Sequence, residues 1–343
     1  MSVEAPERSR LRSIIERVLV DPTLGVVVLL VAFAILAAIA LPVFYAGNNL
    51  FNLFSSSITV MILAIGVTVV LISGGIDLSV GAVMALGAGS AATAMRFGAP
   101  VFLAFIVALV VGVAAGVLNG LLVTRVGLPD FIATLSTLGF ASGVLYIMTQ
   151  GVPIIGYMTP EFELVGGLQP VIGPVTLPML IALALALVVG WLLRSTALGT
   201  RLFAAGSNAV AARQSGIPVR WVKTQAYILS GTCAAIAGII LAGRNNNVPA
   251  DLGTGYEIQA ISAAIIGGAS LMGGRGRVLG AVLGALTLAL AINIINLVGV
   301  PSSYQKIVIG VILLLAVGAN FVSDRVRAAV LRSRAARLSS NAA

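Results

Sequence analysis

The chain has 343 residues, of which 59% are hydrophobic and 9% charged, where soluble domains run at roughly 45–50% apolar and 25% charged. That balance excludes a soluble globular protein and leaves room for about ten membrane crossings at about 20 apolar residues each. A single cysteine, Cys233, excludes an intramolecular disulfide, and the lack of any histidine excludes histidine-dependent catalysis and the usual zinc sites; the net charge of +9 has to be tested against membrane orientation before nucleic acid is considered.

The first 23 residues carry Arg8, Arg10, Arg12, Arg17 and four acids, and no small-residue cleavage site interrupts the apolar run behind them. They read as a retained cytoplasmic tail, 1–23, and not as a signal peptide. Apolar runs then fall at 24–41, 53–72, 79–95, 101–123, 130–149, 176–193, 222–243, 257–272, 277–298 and 304–322, separated by Gly, Pro, Asn or charged clusters. They predict an all-α polytopic bundle of about ten transmembrane helices over 24–322. The eighth run is short and rich in glycine, so it crosses either fully or only in part. Residues 323–343 form a second basic tail.

With the N-terminus inside, alternation puts seventeen of the twenty basic residues on the cytoplasmic side and leaves Arg96, Arg244 and Lys306 outside. The asymmetry supports this orientation and an even number of spans, with both termini cytoplasmic, and it accounts for the basic charge without nucleic acid. The arginines of the C-terminal tail are placed to meet anionic lipid headgroups, or serve simply as a stop-transfer flank.

Glycines recur four residues apart at Gly112, Gly116 and Gly120, at Gly81 and Gly89 around Ala85, and at Gly280 and Gly284. Such spacing lets helix backbones approach closely where no hydrophobic effect drives association, so these positions read as packing stripes.

Neither Lys223 nor Lys306 follows a glycine, so there is no phosphate-binding Gly-Lys-Ser/Thr loop and the chain is not its own ATPase by that route. Glu161 and Glu163 sit in an outer loop and make no acid/base pair. No catalytic residue, metal site or cofactor is expected. The membrane-depth acids are Asp77, Asp130 and Glu257, each at a predicted span end, and an ionisable group at that depth is a functional candidate. Asp77, in the run Ser73-Gly74-Gly75-Ile76-Asp77-Leu78-Ser79-Val80-Gly81, either caps the next helix or borders a transport path; broken helices at depth are tolerated where they line a cavity. Asp130 follows Pro129 and starts a helix; the hydroxyls behind it bond backbone carbonyls or a polyhydroxylated ligand. Polar groups inside the spans should face protein or a wet cavity, which makes Asp77, Ser79, Asn119, Thr134, Thr137, Gln259 and Asn293 candidates for the translocation path.

The stretch 195–221 joins the sixth and seventh spans on the cytoplasmic side. Ser207 or Asn208 is suited to cap a helix of about two turns through Ser215, Gly216 suits the position after its end, and Pro218 stops it. A bundle without an energy source that presents such a helix reads as one driven by a partner.

These residues resemble the permease subunits of ATP-binding-cassette sugar importers of the ribose, xylose, arabinose and galactose type. Four blocks carry the resemblance: Gly-Gly-Ile-Asp-Leu-Ser-Val-Gly at 74 to 81, Pro129 with Phe-Ile-Ala-Thr-Leu at 131 to 135, the loop around Gly206, Asn208, Ala211, Ala212, Ser215 and Gly216, and Ile-Gly-Gly-Ala-Ser-Leu-Met-Gly-Gly-Arg-Gly-Arg at 266 to 277. It runs over about 24–322. The loop lacks the Glu-Ala-Ala opening of the broader importer motif, and Asp130 stands where many relatives have Pro or a small residue. The resemblance implies a type II-like importer permease in a bacterial inner membrane, which catalyses no reaction and pairs with a second copy or a similar chain. It implies a cytoplasmic ATPase docked on the 195–221 loop through Gly199, Arg201, Gly206, Asn208, Ala212, Arg213 and Gly216, and an extracytoplasmic sugar-binding protein at the outer mouth. The competing reading is a proton-coupled secondary transporter of a small polar solute using the membrane-depth acids. Against it, the sequence shows no five-span internal repeat.

Overall fold

The computed structural model describes residues 22–318 apart from 158, 168, 302 and 303. The N-terminal tail up to residue 21, the C-terminal tail and the end of the tenth predicted span lie outside the described residues. A helix occupies each of the ten predicted places: α1 Pro22–Ala40, α2 Gly47–Ile72, α3 Val80–Arg96, α4 Val101–Leu121 and α5 Asp130–Thr149. After a short outer helix, α6 Pro160–Gly166, and a two-stranded hairpin of β1 Pro170–Ile172 and β2 Val175–Thr176, the chain returns as α7 Leu177–Ser195. Two short helices follow, α8 Ala197–Ser207 and α9 Ala209–Gln214, then α10 Val219–Asn245, α11 Tyr256–Ile266 and α12 Val278–Leu297, and finally α13 Gln305–Gly318.

Seven of these, α1, α2, α4 with its π-helical turn, α5, α7, α10 and α12, are long and apolar enough to cross a membrane. Among the described residues the helices of the other three predicted spans are shorter. At 1.5 Å per residue the 11 residues of α11 cover only about 16 Å, so α11 does not cross alone; the second half of that predicted span is irregular glycine-rich chain. α2 begins six residues before its predicted start because Asn49 exchanges reciprocal amide hydrogen bonds of 2.8 and 3.2 Å with Asn293 of α12, which gives the polar first turn a partner.

α2 and α10 form the centre and are buried over most of their length. The glycine stripe of α4 explains how a third helix reaches α10: a Cβ at Gly112 would run into the Gly231 carbonyl, one at Gly116 into Tyr227 and Ile228, and one at Gly120 into Thr224. Gly280 and Gly284 of α12 press in the same way on Gly267 and Ala263. In lipid, where apolar tails compete equally for apolar side chains, this backbone approach is a main source of helix association. Outward-facing positions such as Phe102, Phe140, Leu187, Trp191 and Leu314 are large and apolar.

Contacts sort the helix ends into two groups. At one end Gly274 donates its N–H to the Ile72 carbonyl at 2.9 Å, Gly206 packs on Ile72, and Arg277 reaches Thr23 at 3.2 Å. At the other lie Asn49 with Asn293, Gly166 against Gly243, and a β-bridge between Ile154 and Val248. The ends that the charge pattern assigns to one side are the ends found together.

Candidate functional site

The break between α2 and α3 is the organising feature. α2 stops at Ile72, Gly74 turns the chain in the left-handed region (φ +74°), and residues 75–79 run without regular structure before α3 starts at Val80. Exposed backbone at such depth would cost several kcal/mol per unsatisfied group, and side chains of α5 and α10 supply partners. Lys223 donates to the Gly74 carbonyl at 3.0 Å, Tyr227 to the Ile76 carbonyl at 3.3 Å and Thr134 to the same carbonyl at 3.4 Å. Asp130 places its carboxylate beside Gly75, near the Tyr227 hydroxyl and the Lys223 ammonium.

Asp77 sits at the core of a buried polar hub. One carboxylate oxygen accepts from the Ser79 backbone N–H at 2.9 Å and the Ser79 hydroxyl at 2.6 Å, and the other accepts from Ser230 at 2.8 Å. The Ser79 oxygen accepts from Asn119, and the Asn119 carbonyl accepts from Thr137 at 2.6 Å. Five predicted path residues, Asp77, Ser79, Asn119, Thr134 and Thr137, thus gather where α3, α4, α5 and α10 meet, all buried. Asp77 does not cap α3: the N-cap is Ser79, which makes no side-chain cap bond, and the Asp77 carboxylate instead ties down the Ser79 backbone N–H ahead of the helix. Asn293 lies apart with Asn49 at the opposite end, and Gln259 is half-buried on α11 outside the hub. Asp130 is the first residue of α5, and Thr134 and Ser136 bond back to the carbonyls four residues earlier.

The 195–221 stretch holds two helices instead of one. Thr196 caps α8 through the Gly199 N–H, and Gly199 lies so close to the Leu193 carbonyl that a Cβ would not fit. Asn208 ends α8 and caps α9, its side-chain oxygen accepting from Val210 and Ala211 at 3.0 Å each; α9 stops at Gln214, one residue short of the expected end, and Gly216 leaves at φ +80°. Ala212 is buried while Arg201, Asn208 and Arg213 are exposed. Gly206, in the last turn of α8, packs against the Ile72 carbonyl, Gly274 and Gly74, and Gly273 fills the space between Gly74 and Gly206. The break before α3, the last turn of α8 and the loop after α11 therefore meet backbone to backbone. Gly206 itself meets only backbone atoms, and the Ser207 hydroxyl reaches Gly274 beside it.

These geometries hold no nucleophile activated by a base, and no group of three or more metal-ligating side chains occurs among the described residues. Residues 49–317 match the family model described as the branched-chain amino acid transport system / permease component. The chain belongs to this permease family. It is 39% identical over 295 residues to the ribose import permease protein RbsC of Escherichia coli K12, covering 85% of this chain and 91% of the relative. The Bacillus subtilis protein of the same name is 39% identical over 297 residues, 86% of this chain and 90% of that one. The autoinducer 2 import system permease protein LsrC of Salmonella typhi is 35% identical over 314 residues, 88% of each. No solved structure matches the chain. As a member of this family the chain is a multi-pass membrane permease, and the secondary-transporter reading is not favoured.

Three features of this permease escaped the sequence reading. α8 has no apolar run long enough to announce it, although Thr196 three residues before Gly199 is a cap signal. The convergence of Gly74, Gly206 and Gly273 joins positions more than 60 residues apart, and only the repeated Gly-Gly pairs hinted at it. Nothing in the sequence sets 246–255 apart from an ordinary outer loop, yet Gly253 packs on Gly81 near the start of α3 and Val248 on Gly89.

Proposed function

We propose that this chain is the permease subunit of an importer for a ribose-like polyol, paired with a second copy or a similar chain, served by an extracytoplasmic binding protein and driven by a separate cytoplasmic ATPase. The cargo reading rests on the relatives, which are named for ribose and autoinducer 2 import. The basic asymmetry supports cytoplasmic termini in a bacterial inner membrane, with α8 and α9 on the same side.

The observation that carries the reading is the junction of Gly206 with Ile72, Gly74 and Gly273–Gly274. α9, capped by Asn208 and released by Gly216, offers Arg213 to the ATPase, Arg201 adds a second charge from α8, and Ala212 anchors the pair on the bundle. Gly199 lets α8 turn tightly out of α7. A displacement of α8 by a docked ATPase passes through Gly206 to the Ile72–Gly75 backbone, and from there along residues 75–79 to Thr134 on the Ile76 carbonyl, to Asp77 and Ser79, and through Ser79 to Asn119 and Thr137. The hub would then set the relation of four helices around the inner part of the path, with Gln259 beside the path and Asn293 steadying its outer end. Switching requires the ATPase to bind the two permease states with different affinity, and a backbone contact with no intervening side chain loses little of that difference.

Gly206→Leu tests this. In vesicles containing the permease, its ATPase and its binding protein, the variant should keep the ATPase bound and lose most uptake. Uptake at wild-type rate in a variant that still binds the ATPase would refute transmission through this contact.

A further inference from the structure

The connection from α10 to α11 puts polar groups where a lipid-facing surface cannot hold them. Along α3 the packing partners of residues 248 and 253 are Gly89 and Gly81, eight residues and about 12 Å apart on the helix axis. The chain therefore descends beside α3 from Val248 to Gly253. Gly81 is 15 residues, or about 22 Å, from the Arg96 end of α3. α11 gives the same depth from the other side: its Ala263 packs on Gly284, six residues into α12, and Tyr256 lies two turns further up. Residues 249–255 thus form irregular backbone near the middle of the bundle, and α11 is a half-helix beginning there.

Asp251 and Thr254 are exposed on this segment, Arg244 is half-buried at the end of α10, and Asn245, Asn246 and Asn247 are exposed above them. No side chain among the described residues hydrogen-bonds or pairs with the Asp251 carboxylate. A bare carboxylate on irregular backbone at hydrocarbon depth is tolerated only where protein buries it or where it faces a water-filled space, and on this chain Asp251 is exposed. From this we infer that residues 244–254 form the wall of an aqueous vestibule opening from the outer side, and that Asp251 and Thr254 are its ligand-contacting floor. A carboxylate acceptor, a hydroxyl and three amides together suit a neutral polyhydroxylated solute, which offers many donors and acceptors. The site rests on the reading of the cargo as a ribose-like polyol.

Two measurements on the complete transporter, with its ATPase and binding protein, test the inference. In a Cys233→Ala background, Asp251→Cys should react with a membrane-impermeant, negatively charged thiol reagent added from outside, while Val110→Cys, midway along the outward face of α4, should not. In the otherwise wild-type chain, Asp251→Asn should raise the KM for D-ribose uptake about tenfold with the maximal rate and ATPase association little changed, and Asp251→Glu should recover part of the loss. A purely structural Asp251 would lower expression or rate without that split. An unreactive Asp251→Cys, or an unchanged KM in Asp251→Asn, in a transporter that imports ribose overturns this inference alone. A wild-type transporter that moves no ribose overturns the cargo reading, and the polyol contact with it.

Discussion

Gly116 and Gly139 carry the same residue type in similar apolar helices and have opposite surroundings. A methyl at Gly116 meets the α10 backbone at Tyr227 and Ile228, whereas one at Gly139 meets nothing within 4 Å. Gly116→Ala should therefore destabilise by about 1–3 kcal/mol, the usual cost of overpacking. Gly139→Ala should be neutral or gain up to about 1 kcal/mol from helix propensity. Thermal unfolding in detergent checks both, and similar midpoints for the two variants would contradict the packing account. Asp77 makes a second residue-scale case. Asp77→Ala removes the acceptor for the Ser79 N–H and for the Ser79 and Ser230 hydroxyls, all buried. Each abandoned buried donor costs about 1–3 kcal/mol, so the same assay should show a loss larger than that of Gly116→Ala.

At the scale of elements, α9 depends on one cap. Asn208→Ala should cost about 1 kcal/mol of local helix stability, too little to disturb ten packed helices but enough to loosen a helix of six residues. Arg213→Glu reverses an exposed charge and should weaken ATPase association in a salt-sensitive way. The double variant should insert normally and fail to retain the ATPase on co-purification; wild-type retention with undiminished transport would make α9 an ordinary connector. Apolar runs and their punctuation placed all ten helices, because length and hydropathy dominate where lipid is the solvent. The Asn208 cap and the Gly216 exit were legible for the same reason that makes them work: each is a local backbone need met by a local residue. What stayed illegible is non-local. The hub joins Asp77 of the break before α3 to Asn119, Thr137 and Ser230 from three helices, and the Gly206 junction joins that break, the last turn of α8 and the loop after α11. Spacing along the chain identifies polar and small residues at depth without telling which of them meet. Asp251 was missed because its neighbours Asn245–Asn247 and Gly253–Gly255 look like any outer turn; only the packing of Gly253 on Gly81 brings that segment down into the bundle.

For the whole molecule, the two groups of helix ends make the charge asymmetry a statement about sidedness. Single cysteines in a Cys233→Ala background should be labelled from the cytoplasm at position 208 and from outside at position 161, and the reverse pattern would contradict the orientation. The central claim is that this permease moves its cargo only when a partner's ATP cycle drives α8 and α9. The most direct test is uptake of D-ribose into vesicles reconstituted with the purified chain, with and without the ATPase and the binding protein. The account predicts accumulation only with both partners and ATP present, and none under an imposed proton gradient alone; accumulation driven by that gradient without the partners would contradict it.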